Sequence, residues 1–331
     1  MAQELRKLGC DVCFLDLTEC SRGGVISYAI NSSVKTCART INNVAISADA
    51  ISAVWYRRPR APKIPPAVLD KRDRNFILEE WKVVAKGFLD SIEAPFVNDP
   101  VCQELATKPI QLKHARLSEL RIPDTLITND PEEAKAFIEE HEGNVIHKAM
   151  TAPRDKFLHT QSWKERDLEL LSALPLCPVI FQERILGPAD VRATIIGEEI
   201  FAARIETALG TAEVDSRLDL GVPYTQTKLP PFVEGATLGL MRRLGLAFGT
   251  VDFKVTSDNE YVFLEINPQG QFLYIEILTG LPLTMAMAMF LKKTSRKLKY
   301  SKPQRREPSE PRGQAPYQPH SEDCGGIDLN G

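Results

Sequence analysis

The stretch VDFKVTSDNEYVFLEINPQGQ, Val251 to Gln271, places two strand-like apolar runs on either side of a polar turn at Asp258-Asn259. Residues two apart in a strand face the same way, so Glu265 and Asn267 project from one face. Asp252 lies on the preceding run, which antiparallel pairing lays beside them. Packing alone would ask for Val, Ile or Phe at these positions. Two carboxylates and an amide oxygen converging on one point make an all-oxygen site suited to Mg²⁺. That ion usually leaves much of its shell to water and phosphate, so a three-residue protein share implies a nucleotide. The competing reading is a solvated hairpin with chance acids, as at Asp258-Asn259 itself. It fits poorly where Glu265 stands between Leu264 and Ile266.

Working outward, PVIFQERI, VRATIIGEEIFAARIE and the opening hairpin read as strands, with a helix from about Phe232 to Leu244 between them. Upstream, PDTLITNDPEEAKAFIEEHEGNVIHKAM reads as strand, helix capped by Asp130-Pro131, and strand, the grammar of an α/β (α+β) protein. CQELATKPIQLKHARLSEL is a helix interrupted near Pro109, and KRDRNFILEEWKVVAKGFLDSI is a long amphipathic helix. In the first 60 residues, DVCFLDL and ISAVWYRRP read as strands, and GGVISYAI and VKTCARTI as a hairpin. This unit opens on the helix fragment AQELRKLG, so it is expected to lack a first strand. From Ser301 onward, Pro, Gly and mixed charge dominate and predict a disordered tail. The expected division is 1–95, 96–186, 187–298 and a tail over 299–331.

Bulk numbers exclude several classes. The 331 residues allow two or three packed units. A net charge of -3 leaves no cationic excess for nucleic acid. MAQELRKLGCD has no apolar signal region, and LPLTMAMAMFL falls short of the roughly 20 residues a bilayer needs. A soluble, cytoplasmic protein without membrane contact is expected. Seven scattered Cys, including the Cys10-x-x-Cys13 pair, read as buried thiols of a reducing compartment.

Other positions carry possible phosphate and nucleotide chemistry. Lys148 closes the strand NVIHKAM and Lys108 sits inside the helix-like segment after Asn98-Asp99, each a compact charge for a phosphate or else an ordinary surface lysine. Backbone groups at Gln182, Glu183, Arg184 and Ile185 could bind an adenine, and Asp190 ribose hydroxyls. Arg192 and Arg204 lie on neighbouring strand-like runs, from which they could face one cleft and neutralise a phosphoryl group. The alternative for both is cross-strand pairing with Glu198, Glu199 or Glu206.

The two lysines, the QERI segment, DVR and the D…E-x-N pattern resemble the ATP-grasp superfamily. VWYRRP, DVRATIIGEEIFAARIE, VDSR (Val214 to Arg217) and the stretch from Gly249 to Leu283 are similar to the microviridin-type graspetide maturases. The similarity runs from near residue 1 to about 295. It implies an ATP-grasp fold behind an N-terminal pre-ATP-grasp domain, with ATP and Mg²⁺ as cofactors. Lys108 and Lys148 would hold the phosphates, Gln182 to Ile185 the adenine and Asp190 the ribose. Asp252, Glu265 and Asn267 would hold Mg²⁺, with Arg192, Arg204 and Arg217 on the transferring phosphoryl group and Asp215 toward the substrate. The implied activity is carboxylate activation as an acyl phosphate, then ester or amide crosslinking in a ribosomal precursor peptide. The branch also implies a homodimer. Two alternatives share these residues: a ligase joining an amino acid to a free or protein-tail acceptor, and a non-catalytic nucleotide binder. The chain departs from the family in TAPRDKFLHT, which has no Gly, and in DSR where DWR is common.

Overall fold

The computed structural model describes residues 1–16, 18, 24–31, 34–40, 44–151, 160–207 and 221–296. Met1–Leu298 form one compact unit. Helix α1 (Ala2–Lys7) leads into a chain without regular structure from Cys10 to Asp16, so the strand expected in DVCFLDL does not form. A strand needs a partner ladder, and none of the described strands pairs with this segment. The expected hairpin is present as β1 (Val25–Ile30) and β2 (Val34–Arg39), continued by β3 (Ala45–Ser47) in an antiparallel sheet.

The motif VWYRRP supplies only the two-residue strand β4 (Val54–Trp55). Helix α2 (Lys71–Asp90) starts where the Asp70 carboxylate accepts from the backbone N–H groups of Arg72 and Asp73. Its fully buried Phe88 packs with Ala38, Ile92 and Ala94. The chain then returns as β5 (Phe96–Val97), parallel to β4. The helix expected after it, interrupted near Pro109, forms as two: α3 (Pro100–Leu105) and α4 (Lys108–Leu117). The break falls at Ala106-Thr107, and Pro109 sits harmlessly in the first turn of α4, where its missing N–H has no helical partner to lose.

Next come β6 (Thr125–Thr128), α5 (Pro131–Glu140), β7 (Val145–Lys148) and β8 (Gln161–Ser162), a 3-10 segment over Glu165–Leu176, and β9 (Val179–Glu183). Asp130 caps α5 as its sequence predicts. The sheet order is β6-β9-β7-β8, antiparallel throughout. Val145 and Phe181 on one face pack against Ala134 and Ile138 of α5. Lys148 and Gln182 sit on the other.

Strands β10 (Ala189–Ile196), β11 (Glu199–Ile205) and β12 (Tyr224–Thr227), helix α6 (Pro231–Leu244), then β13 (Phe248–Val255) and β14 (Tyr261–Asn267) complete the second large sheet. Its order is β12-β11-β10-β13-β14. One face carries Val191, Ala193, Val251, Phe253 and Ile266, buried against Leu112 and Ala115 of α4 and Leu240 and Met241 of α6. Each of the Val, Leu, Ile, Phe and Met side chains among them contributes about 1.5–3 kcal/mol by leaving water. On the other face Ile196, Ala203 and Phe248 pack with α7 (Leu273–Thr279) and α8 (Leu283–Arg296). Between these, that face carries the polar residues Asp190, Arg192, Thr194, Thr250, Asp252 and Lys254 of β10 and β13, where the candidate site lies. No helix among the described residues is long and apolar enough to cross a membrane.

Candidate functional site

Register builds the site. Across β10, β13 and β14, Arg192 pairs with Asp252 and Asp252 with Glu265. The next row is Thr194, Thr250 and Asn267, and the row before it joins Asp190 to Lys254. Directly paired residues share a face, so these rows form one polar ladder on the face opposite Val191 and Phe253. A β-bulge makes this compatible with the core: Asp252 pairs with Glu265, but Phe253 pairs with Phe263, leaving Leu264 as the extra residue. Without that extra residue Phe263 and Glu265 would share a face; with it, Phe263 joins the helix-covered core.

Asp252 and Glu265 are partly accessible, with 21% and 24% of their side chains exposed. Nη1 of Arg192 donates to both oxygens of Asp252, at 2.8 and 3.0 Å. The Arg192 side chain is only 6% exposed, and its guanidinium lies 5.8 Å from the Tyr274 ring centre. Lys108 Nζ stands 3.8 Å from Glu265 Oε2 and donates to Ala149 O at 3.1 Å. Thus the first residue of α4 joins the acid row to the end of β7. Asn267 Oδ1 accepts from Gln269 N at 2.9 Å. The three candidate ligands offer hard oxygen donors with cations on their flanks, a donor set that fits Mg²⁺. Among the described residues no group of three or more His, Cys, Asp or Glu could hold a metal ion; the Asp252–Glu265–Asn267 set counts an amide as its third member.

The second lysine is oriented from the side. Lys148 Nζ donates to Gln182 Oε1 at 2.9 Å, and Gln182 Nε2 donates to Thr125 Oγ1 at 2.8 Å. Gln182, fully buried, therefore acts through its side chain, which the reading of its backbone as an adenine contact missed. Of its neighbours, Glu183 N donates to Asp124 O and Arg184 N to Asn144 O. Ile185 N–H makes no hydrogen bond among the described residues.

Two sequence-based assignments change. Arg204 pairs with Val191, not with Arg192, so the two-residue period turns it to the other face of the sheet. There its Nε donates to Glu206 Oε1 at 2.7 Å, the cross-strand alternative in another form. Asp190, read as a ribose partner, is nearly buried and ion-paired with Lys254, the residue opposite it on β13. Asp215 and Arg217 lie outside the described residues, as does the tail over 299–331. None of the five described cysteines is buried, contrary to expectation, and all are free thiols. Cys10 and Cys13 lost their expected burial along with the strand.

Sequence reasoning also missed Asn98, which is 1% exposed. Its Nδ2 donates to Phe248 O at 2.8 Å and Pro268 O at 3.0 Å, and its Oδ1 accepts from Ala247 N and Phe248 N at 2.8 Å. Nothing in NDP distinguishes it locally, because its partners lie about 150 residues away. A groove lined by Leu112, Arg116, Arg121, Asp124 and Ile127 includes none of the ladder residues.

Comparison with known proteins places this geometry. Residues 1–104 match the family model of the MvdD pre-ATP grasp domain. The macrocyclase MdnC from Microcystis aeruginosa MRC, solved bound to the precursor peptide MdnA, is similar at 29% identity and a TM-score of 0.79, covering 88% of this chain and 94% of its own. A RiPP-associated ATP-grasp ligase from Chryseobacterium gregarium, solved with ADP and a leader and core peptide, gives 29% and 0.79, covering 88% and 91%. The macrocyclase MdnB from Microcystis aeruginosa MRC gives 28% and 0.76, covering 88% and 93%. No curated protein sequence matches the chain. With an MvdD-type domain leading into this antiparallel sheet pair and its acid ladder, the chain has an ATP-grasp fold and is similar over most of its length to graspetide-type peptide maturases.

Proposed function

We propose that this chain is an ADP-forming ligase that crosslinks side chains within a ribosomally made precursor peptide. The observation that carries the reading is the Arg192–Asp252–Glu265 row, with Lys108 bridging it to the end of β7. The solved relatives bound to a precursor peptide, or to ADP with leader and core peptide, support the same substrate classes here. The organisation we propose is a first domain over 1–95, a central one over 96–186 and a C-terminal one over 187–298, working in the cytoplasm.

Lys108 and Lys148 would bind the nucleotide's phosphate oxygens as point charges, Lys148 held in place by Gln182. Ile185 would offer its backbone N–H to the adenine. Asp252, Glu265 and Asn267 would hold Mg²⁺, which supplies charge neutralisation on the phosphate oxygens when bound. Arg192 aims Asp252, because its Nη1 donates to both carboxylate oxygens. A peptide carboxylate attacks the γ-phosphorus of ATP, the bond to the bridging oxygen breaks, and ADP leaves. A Ser or Thr hydroxyl, or a Lys amine, of the same peptide then attacks the acyl phosphate carbon and releases phosphate and a proton.

Incubation with ATP, Mg²⁺ and a precursor peptide encoded beside the gene should give products lighter by one water per crosslink, measured by intact mass. A product heavier by one amino acid would instead favour the ligase that extends a free or protein-tail acceptor. Unchanged mass with ADP release would rule out the crosslinking reading for that peptide.

A further inference from the structure

The turn that follows the candidate metal ligands is held almost entirely from elsewhere in the chain. It is closed by Gly270 N donating to Asn267 O at 3.0 Å, with Pro268 at its second position. Three successive carbonyls of this turn then accept from the side chains of Asn98 and Arg57. Pro268 O takes Asn98 Nδ2 at 3.0 Å, Gln269 O takes Arg57 Nη1 at 2.6 Å, and Gly270 O takes Arg57 Nη2 at 3.3 Å. The Gln269 side-chain oxygen accepts from Arg58 N, and the Gln271 amide faces the Arg58 guanidinium.

Arg57 itself is locked. It is half-buried, and its guanidinium lies 5.9 Å from the Trp55 ring centre. Burial, with Arg58 alongside, pulls the guanidinium below its ordinary range. It makes no ion pair with a carboxylate among the described residues, so its donors are spent on backbone carbonyls. Such charged donors hold a carbonyl more firmly than neutral ones do. On the turn side there is little slack either. A Cβ on Gly270 would come within 2.0 Å of Thr250 Oγ1, so the turn is pressed onto the row that contains Asn267.

We propose that Arg57 is a positioning residue of the nucleotide-metal site: through the carbonyls of Gln269 and Gly270 it fixes the turn that aims Asn267, and with it Glu265, at the position facing Asp252. VWYRRP is then a working part of the active site contributed by the first domain, although it touches neither nucleotide nor metal. This rests on the metal-nucleotide reading given above. Groups that support metal ligands typically set metal affinity by about 10–100-fold, and Arg57 falls in that class.

The test is Mn²⁺ binding to the full chain saturated with ADP, read from the free-ion electron paramagnetic resonance signal, beside metal-free ADP affinity and thermal unfolding. Arg57→Ala should weaken Mn²⁺ binding at least about tenfold while metal-free ADP affinity stays within about twofold, since the lysines are untouched. Arg57→Lys, which keeps one donor, should fall between Arg57→Ala and the parent, and decides the matter should Arg57→Ala not fold. Arg60→Ala, an exposed neighbour without a bond to the turn, should match the parent. Equal Mn²⁺ affinity in the parent and a folded Arg57 variant would overturn the proposal, as would a parallel loss of metal-free ADP affinity. A parent chain that binds ADP but no Mn²⁺ would overturn the metal-site reading itself.

Discussion

The two ends of the β13–β14 hairpin are both polar turns, TSDNE at the tip and NPQG at the other end, and they are built in opposite ways. At the tip, Asn259 adopts the left-handed conformation at φ 62°, and the turn closes on itself. Asn259 N donates to Thr256 O and Glu260 N to Thr256 Oγ1, while an exposed ion pair joins Arg121 to Glu260. At the other end, the turn from Asn267 to Gly270 is fastened by residues 170 and more positions away. A self-closing turn needs only its own residues and can sit at the surface. A turn whose atoms must hold a ligand geometry to within a fraction of an ångström needs support from outside, and Arg57 and Asn98 provide it.

Predictions that would break this contrast differ widely in size. The largest belongs to the acid row. Glu265→Gln should lower ADP formation about a thousandfold, the scale of metal-assisted charge stabilisation, with the unfolding midpoint unchanged. Next is Asn98→Ala. It strips partners from two buried N–H groups and two carbonyls at once and should cost about 3 kcal/mol in denaturant unfolding. Gly270→Ala should cost about 2 kcal/mol by overpacking against Thr250, together with a shift of the Mg²⁺ dependence to higher concentration in any activity assay.

Smaller effects test the parts placed outside the site. His147 sits on the β7 face away from Lys148, its ring edge-on to Trp163 at 5.9 Å. Burial holds its imidazole below the ordinary 6.5, with Asp167 opposing. The unfolded chain then takes up a proton that the folded chain refuses. Stability is therefore fully present above pH 6.5 and declines as pH falls toward the lowered value. Replacing it by Gln should flatten the melting temperature between about pH 7.5 and 5.5 by on the order of 1–2 °C. Last, Asp258→Asn at the tip should change stability by no more than about 0.5 kcal/mol and leave ADP formation alone. A clear loss of activity there would erase the distinction between the two turns.

What could be read from the sequence was whatever depends on near neighbours. Glu265 and Asn267 share a face because the strand period is two, and Asp252 meets them because a short turn makes an antiparallel hairpin. The Asp130 cap and the helix over Pro231–Leu244 were legible for the same reason. Arg204 was misjudged by one residue of register, which is enough to move a side chain through the sheet. Lys254 beside Asp190, Gln182 beneath Lys148 and Asn98 beneath Pro268 were invisible, because each pairing depends on how separate strands or domains come together. VWYRRP was noticed as a motif, but its task lies 212 residues on, at Gln269.

The central claim is that the described acid ladder serves carboxylate activation by phosphoryl transfer. It is tested most directly with a precursor peptide whose Asp and Glu side-chain carboxylates carry a heavy oxygen isotope. Turnover with ATP and Mg²⁺ should place one heavy oxygen in the released inorganic phosphate for each crosslink formed. Crosslinked peptide accompanied by phosphate without the isotope would contradict the account.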